Sequence, residues 1–500
     1  MTDLALAPRA PAPAPRQAKL LALVIIAAAQ LMIVLDASVV VVALPSAQHA
    51  LHISVADRQW VMTSYTLAFG TLLLLGGRIA DYVGRRRAFV IGLLGFAGSS
   101  ALGGLAQSSA MLFGARALQG AFAAAMAPAA LSLLTTTFTE ARERARAFGV
   151  YGAVAGSGAA LGLVLGGMLT QFASWRWTLL VNVPIAILAA VSARRVLPAD
   201  HTAGRRQGQY DLAGAVTATG SLFLLVLGFS TAGTSGWGSP LTVGLLAGAA
   251  AGLALFVWIE LRSKNPLLPV QVVLDRNRGG SFLASLFVGS AMLGTFLFLT
   301  YFFQGTLHYS ALTTGFAFLP MSAGVILGAS ASSRLLPRTG PRPLMVVGLA
   351  LAGAGLAWFI RLHVGSSFVG GVLPAEIVAS LGMGTAFVPM SSTALIGVDP
   401  ANAGVASALV NTTQQVGSSL GTALLNTLAA NAAAAFVVAH PHLPDLARAA
   451  PVHGYVLGFC VSAGLVLAAA TMAWAMVRAR RTDVASATAA AVPLEAAPST

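Results

Sequence analysis

The sequence predicts an all-α integral membrane protein of about 14 transmembrane helices: two six-helix halves plus an inserted helix pair. Composition leaves few other classes. Of the 500 residues 57% are hydrophobic and only 9% charged, and a mean hydropathy of +0.81 lies far above what a water-soluble domain sustains. Apolar runs of about 18 residues or more recur about fourteen times along the chain. The cations between those runs sort to alternate sides, as they must if each run crosses a bilayer.

The spans fall roughly at 20–44, 59–77, 88–106, 111–137, 147–170, 178–197, 211–231, 241–261, 281–304, 313–333, 344–363, 370–396, 403–428 and 452–477. Backbone groups in hydrocarbon need partners within their own segment, so each span is a helix. The 53 glycines fit this reading, because small residues let membrane helices approach closely. Residues 1–19 form an Ala/Pro-rich basic tail and 479–500 a polar Ala-rich one, and neither holds enough apolar surface to fold. A faint repeat at an offset of 256 residues sets SRLLPRTGPR (Ser333 to Arg342) on GRIADYVGRR, matching Gly340 to Gly84, Arg342 to Arg86 and Asp399 to Glu143. Pro337 stands where the first copy has Asp81. The repeat divides the chain into a half at 20–197, an inserted pair at 211–261 and a second half at 281–478.

With the N-terminus placed inside, 24 of the 29 Lys and Arg lie in cytoplasmic segments. Arg58, Arg176, Arg361 and Arg448 lie outside, and Arg116 within a span. That asymmetry requires an even span count with both termini cytoplasmic. The net charge of +14 is spread over short loops on one face, which suits anionic membrane lipid and not nucleic acid. Cys460 is the only cysteine, so disulfides and cysteine metal sites are excluded, and the eight histidines form no ligand set. Neither Lys19 nor Lys264 follows a phosphate-binding loop, so the sequence carries no nucleotide-hydrolysis site of that kind. The string GSSLG (Gly417 to Gly421) lies inside an apolar helix and lacks the strand and turn of a nucleophile elbow.

Five segments carry chemistry. The eleven residues Gly77 to Arg87, GRIADYVGRRR, form a basic turn in which Gly77 and Gly84 allow a tight connection and Asp81, Arg85 and Arg86 can meet helix ends. A carboxylate against a helix N-terminus is worth up to about 2 kcal/mol, which would shift a two-state equilibrium roughly thirtyfold. Such a loop can act as a conformational latch or simply hold the chain inside. Asp36, in LDASVVVVALP, and Arg116, in LFGARALQGAFAAAM, each cost about 2.5–3.5 kcal/mol at the centre of a span. Asp36 reads as a protonatable group facing a central cavity. Arg116 keeps its charge and is placed to act on Asp36, through either a working contact or a static ion pair. In the fifth span Gly158, Gly162, Gly166 and Gly167 continue a small-residue ridge, first of all a packing seam. In SWRWTLLVNVP (Ser174 to Pro184), Trp175 and Trp177 fit an interfacial belt.

These segments together resemble the major facilitator superfamily, and within it the fourteen-helix drug:proton antiporter branch, from about residue 20 to 478. GRIADYVGRRR is similar to the loop between helices two and three, and LDxxVVxxALP to the first-helix signature. Arg116, Gln119 and Gly120 match the R-x-x-Q-G pattern of helix four, which the family assigns to proton coupling. The glycines at 158, 162, 166 and 167 resemble the helix-five antiporter motif, except that its Gly-Pro is Gly162-Leu163 here, which removes the expected helix distortion. SWRWTLLVNVP again looks like the fourteen-span branch.

The resemblance implies a non-enzymatic exporter of amphiphilic drugs or antibiotics in a bacterial plasma membrane, working by alternating access. The proton gradient takes the place of any cofactor, with no metal, and a monomer is the expected unit. Tyr65, Gln119, Gln304, Asn411 and Gln415 are candidate substrate-cavity contacts. Glu376 reads either as half of an ion pair with Arg361 or as a second proton or cation site. A dedicated exporter of one endogenous metabolite is the alternative within transport; a polytopic membrane enzyme or sensor is the alternative outside it.

Overall fold

The computed structural model of the protein describes residues 16–138, 140–197, 211–263, 273–398 and 403–481, with 266 and 483. Most of both predicted tails, the loop residues Lys264 and Asp399, and the side chain of Asp81 lie outside the described residues. What is described is helical, with no strand.

The chain begins with α1 (Arg16–Ala50), α2 (Trp60–Val83), α3 (Arg85–Gly104), α4 (Ser109–Thr137) and α5 (Ala141–Phe172). The short α6 (Trp177–Leu180) leads into α7 (Asn182–Val196), and α8 (Leu212–Ser235) and α9 (Pro240–Arg262) form a hairpin. Then come α10 (Arg276–Tyr301), α11 (Ala311–Ala317), α12 (Leu319–Thr339), α13 (Pro341–Trp358), α14 (Leu373–Thr393), α15 (Ala403–Ala439) and α16 (Leu446–Met476). Twelve helical segments among the described residues are long and apolar enough to cross a membrane. The predicted spans 59–77 and 147–170 fall on α2 and α5, which contain residues whose side chains are not described.

Local chemistry sets the boundaries. Side chains cap helix starts by accepting from the first free N–H groups: Ser108 from Met111, Asp211 from Gly214, Asp275 from Asn277 and Arg278, and Ser310 from Thr313. Gly84 (φ 102°) separates α2 from α3, and Gly340 (φ 78°) separates α12 from α13, so the two repeated glycines occupy equivalent left-handed corners. The run 313–333, read as one helix, breaks at Phe318 because Pro320 lacks the N–H that a continuous helix would use. With Leu163 in place of the motif's proline, α5 runs unbroken from Ala141 to Phe172, as the sequence implied.

Packing follows two groups. In the first, α1 lies on α5 and α7, α2 on α4, and α3 on α4 and α7; in the second, α10 lies on α15 and α16, and α14 on α12 and α13. The hairpin α8–α9 attaches through α8, which rests on both α2 and α15. Val226 is buried there against Leu67 and Ala423, whereas α9 keeps most of its apolar surface exposed. The glycine ridge of α5 makes the α1 contact possible. A Cβ on Gly158 would lie 3.0 Å from Val34 and one on Gly166 2.7 Å from the Val39 carbonyl, and Gly162 packs against Ser38. Gly167 instead faces α11, where a Cβ would lie 2.5 Å from the Ala311 carbonyl.

Gly166→Ala should therefore lower stability by about 1–3 kcal/mol, since backbone must move to admit the methyl group. Gly114→Ala, where nothing lies within 4 Å, should be neutral or mildly stabilising. Thermal unfolding of the two purified variants checks the contrast.

Candidate functional site

At the middle of the first group, Asp36 (0% exposed) and Arg116 (1%) face each other from α1 and α4. Arg116 Nη1 donates to Asp36 Oδ2 at 2.6 Å and to Gln119 Oε1 at 2.9 Å, and its Nε donates to the Val61 carbonyl at 3.0 Å. Asp36 Oδ1 accepts from Gln119 Nε2 at 3.0 Å and from Asn182 Nδ2 at 2.8 Å. Gln119 also donates to Ser100 Oγ at 2.7 Å, and the guanidinium lies 4.5 Å over the Tyr65 ring. Five helices, α1, α2, α3, α4 and α7, thus contribute to one network around a single carboxylate. A buried ion pair persists only when its remaining lone pairs and N–H groups are met, and here they largely are.

Arg116 and Tyr65 also form part of the wall of a cavity of ≈ 230 Å³ between the two helix groups. Ser38 and Met62 add to one side, and Met292, Phe296, Gln414, Gln415 and Ser418 to the other. Among the described residues Arg116 is the only charged side chain in that lining. The wall is apolar with a few convergent polar groups, the character of a small-molecule site.

The two groups close on each other at the end of the bundle where α1 finishes, hereafter the distal end. Arg58 is 5% exposed, donates to Asn426 Oδ1 at 3.1 Å and lies 4.0 Å over the Tyr301 ring. Asn426 donates onward to the Val55 carbonyl at 3.0 Å, the Tyr301 hydroxyl meets Gln48, and Gln304 donates to the Val42 carbonyl at 2.9 Å. Thr66 and Ser419 share a hydrogen bond of 2.7 Å. The hairpin joins this seal: Ser230 on α8 accepts from Gln59 at 3.0 Å and Trp60 at 3.2 Å, and the Phe229 carbonyl accepts from Thr427 on α15 at 3.0 Å.

Of the residues expected to line a cavity, Tyr65 and Gln415 do so. Gln119 is fully buried in the Asp36 cluster instead, Gln304 belongs to the distal seal, and Asn411 is exposed one helical turn before Gln415 on α15, outside the lining of this cavity. Asn182 was missed, although an amide in the apolar run LLVNVP was itself a signal. Arg58 was missed because a charge in a polar connection reads as solvated. The Arg361 pairing expected for Glu376 does not form. Glu376 is 0% exposed with no hydrogen-bond partner for either oxygen, and Arg361 lies exposed near Trp358. In the basic turn, Gly77 at the surface of α2 meets Pro128 of α4, and Arg86 Nη1 donates to the Leu197 carbonyl at 3.1 Å, tying α3 to the end of α7. Arg85 is half-buried there, and the Asp81 side chain lies outside the described residues. Trp177 is exposed as an interfacial residue should be, whereas Trp175 is buried with Arg176 at 4.6 Å over its ring. Among the described residues no group of three or more metal-ligating side chains occurs.

The profile of the Major Facilitator Superfamily matches residues 26–422. The puromycin resistance protein pur8 of Streptomyces alboniger is 49% identical over 479 residues, 95% of this chain and 94% of that protein. The cephamycin export protein CmcT of Amycolatopsis lactamdurans is 40% identical over 454 residues, 86% and 93% of the respective chains. Among solved structures, a bacterial homologue of the human lysosomal transporter Spinster, inward-facing and unoccupied, superposes with a TM-score of 0.64 at 15% identity, covering 93% of this chain and 98% of that one. The nucleoside transporter NupG follows at 0.62 and 13%, over 92% and 100%. With a profile spanning most of its length and a relative nearly half identical from end to end, this chain belongs to the Major Facilitator Superfamily.

Proposed function

We propose that the protein exports amphiphilic drugs or antibiotics across a bacterial plasma membrane, exchanging substrate for protons by alternating access. The observation that carries this reading is the Asp36–Arg116 pair, whose guanidinium is at once the partner of a buried carboxylate and part of the cavity wall. Relatives named for puromycin resistance and cephamycin export support the substrate class.

In this reading α2 and α5 complete fourteen crossings. Residues 20–197 and 281–478 are the moving halves, 211–261 the inserted pair, both termini are cytoplasmic, and the monomer is the working unit. The distal end is then external and sealed, so the conformation is inward-facing. A proton arriving at Asp36 Oδ2 cancels the charge that holds Arg116 Nη1. Released from that bond, the guanidinium can turn to the cavity, and the wall that binds substrate changes with it. The basic turn, with Gly77, Asp81, Gly84, Arg85 and Arg86, serves as a latch on the cytoplasmic side. Because no carboxylate occurs in the lining among the described residues, uncharged or singly charged amphiphiles fit better than dications.

Efflux of a lipophilic dye from loaded cells tests the reading. Wild-type efflux should collapse on adding a protonophore, and Asp36→Asn should be inserted normally yet inactive. The double variant Asp36→Asn/Arg116→Gln removes the unpaired buried cation, a stress worth about 3–5 kcal/mol, so its stability should recover while efflux does not. Gradient-driven efflux by the double variant would take proton coupling away from Asp36.

The seal makes a separate prediction. Arg58→Ala loses a hydrogen bond and a cation–π contact, together about 1–2 kcal/mol, and should raise the outward-open population roughly tenfold. Labelling of Val41→Cys by an impermeant maleimide from outside, in a Cys460→Ser background, should accelerate accordingly; unchanged labelling would mean that the seal is held elsewhere.

A further inference from the structure

We propose that an arginine-lined cleft at the start of α13 and the end of α16 binds the phosphate of an anionic phospholipid from the adjoining leaflet. The proposal rests on the chain's insertion in a membrane and is independent of what it carries. The cleft has a volume of ≈ 870 Å³ and is lined by Arg342, Arg478, Arg480, Arg481, Trp474 and Thr339, among others.

Positive charge at a cytoplasmic face needs no ligand to explain it, but the construction of this cleft does. The arginine-bearing segment after α16 is held in place instead of trailing into solvent. Asn277 Oδ1 accepts from the backbone N–H of Arg478 at 2.7 Å and of Ala479 at 3.1 Å. Arg276 caps the last turn of α16, donating to the carbonyls of Ala475 at 2.7 Å and Met476 at 2.9 Å. Val477 and Ala479 are buried beneath, and Gly340 is so close that a Cβ would lie 3.1 Å from the Arg481 nitrogen. The backbone that carries Arg478, Arg480 and Arg481 is thereby held in place, and their side chains line one space together with Arg342.

None of the four forms an ion pair among the described residues, and the nearby Asp483 carboxylate accepts from the backbone of Arg480 at 2.8 Å. Like charges held together repel, and a bound anion relieves that repulsion. Guanidinium forks match phosphate oxygens in pairs. Depth selects the lipid: Trp474, 60% exposed in the last turn of a membrane-crossing helix, marks the polar interface, and Arg342 lies 5.6 Å from its ring. A phosphate there, with its acyl chains running along the lipid-facing side of α16, meets the arginines at headgroup level.

The test is native mass spectrometry of the full chain in neutral detergent, titrated with phosphatidylglycerol, phosphatidylcholine or glycerol 3-phosphate. Wild type should retain phosphatidylglycerol at about tenfold lower concentration than phosphatidylcholine, and R478Q/R480Q/R481Q should bring the two within about twofold. R194Q/R195Q/R334Q removes equal charge from the same face outside the cleft and should keep the preference. R342Q alone should weaken it partially and serves if the triple variant does not fold. Equal loss in the control, or no loss in the cleft variants, overturns the proposal in favour of diffuse surface charge. Displacement of the lipid by an equal concentration of glycerol 3-phosphate overturns the lipid source and leaves a soluble phosphate ligand. Dye efflux measured on the same variants separates the two readings, since a transport failure in wild type leaves the lipid titration intact.

Discussion

The pairing of Asp36 with Arg116 inside the bundle governs much of the architecture around it. Neither charge survives in an apolar interior alone, so α1 and α4 are bound to meet, and the remaining hydrogen-bond capacity of both groups must be met on the spot. Gln119, Asn182, Ser100 and the Val61 carbonyl meet it, which draws α2, α3 and α7 to the same point. The close fit of α1 on α5 has a separate cause: the glycines at 158, 162 and 166 remove the side chains that would hold the two backbones apart. A network satisfied from so many directions is rigid while intact, and a single proton is enough to alter its charge balance.

The distal seal is built on another principle. Its contacts are single hydrogen bonds, one cation–π pair and a glycine against a backbone carbonyl, spread over α1, α2, α5, α10, α11 and α15. Each is weak enough to break in a conformational cycle, yet together they close the cavity at that end. The inserted hairpin takes part through Ser230 and Phe229, so α8 spans the seam between the two groups while α9 faces outward with little burial. The hairpin therefore has a structural attachment to the seam between the two groups, which its hydropathy did not suggest.

Legibility in the sequence tracked energetic cost. Asp36 and Arg116 stood out because charges in hydrocarbon are expensive, and the structure brings them within 2.6 Å. The ridge of glycines stood out because small residues at helical spacing have a geometric use, and it lies on α1. Neutral polar residues gave a weaker signal, which in Asn182 marked an amide inside an apolar run without naming its partner. Gln119, Gln304 and Asn411 were grouped as cavity contacts, but one belongs to the buried cluster, one to the seal, and one is exposed a turn away from the lining, because an amide costs too little to reveal its exact surroundings. In a membrane helix the lipid-facing and protein-facing sides are both apolar, so periodicity does not orient the remaining faces as it would in a soluble protein.

The sequence by itself determined the solvent of the chain, its helical character, the charge asymmetry along it, and the two expensive residues that needed each other. Each follows from transfer free energies that act residue by residue. Only the tertiary structure decided that Asn182 completes the carboxylate's shell, that Arg58 and Tyr301 close the distal end, that Glu376 lies buried without Arg361, and that the arginines after α16 surround a cleft. Those facts depend on how helices distant in sequence are rotated and docked, through many contacts of about 1 kcal/mol that no local pattern records.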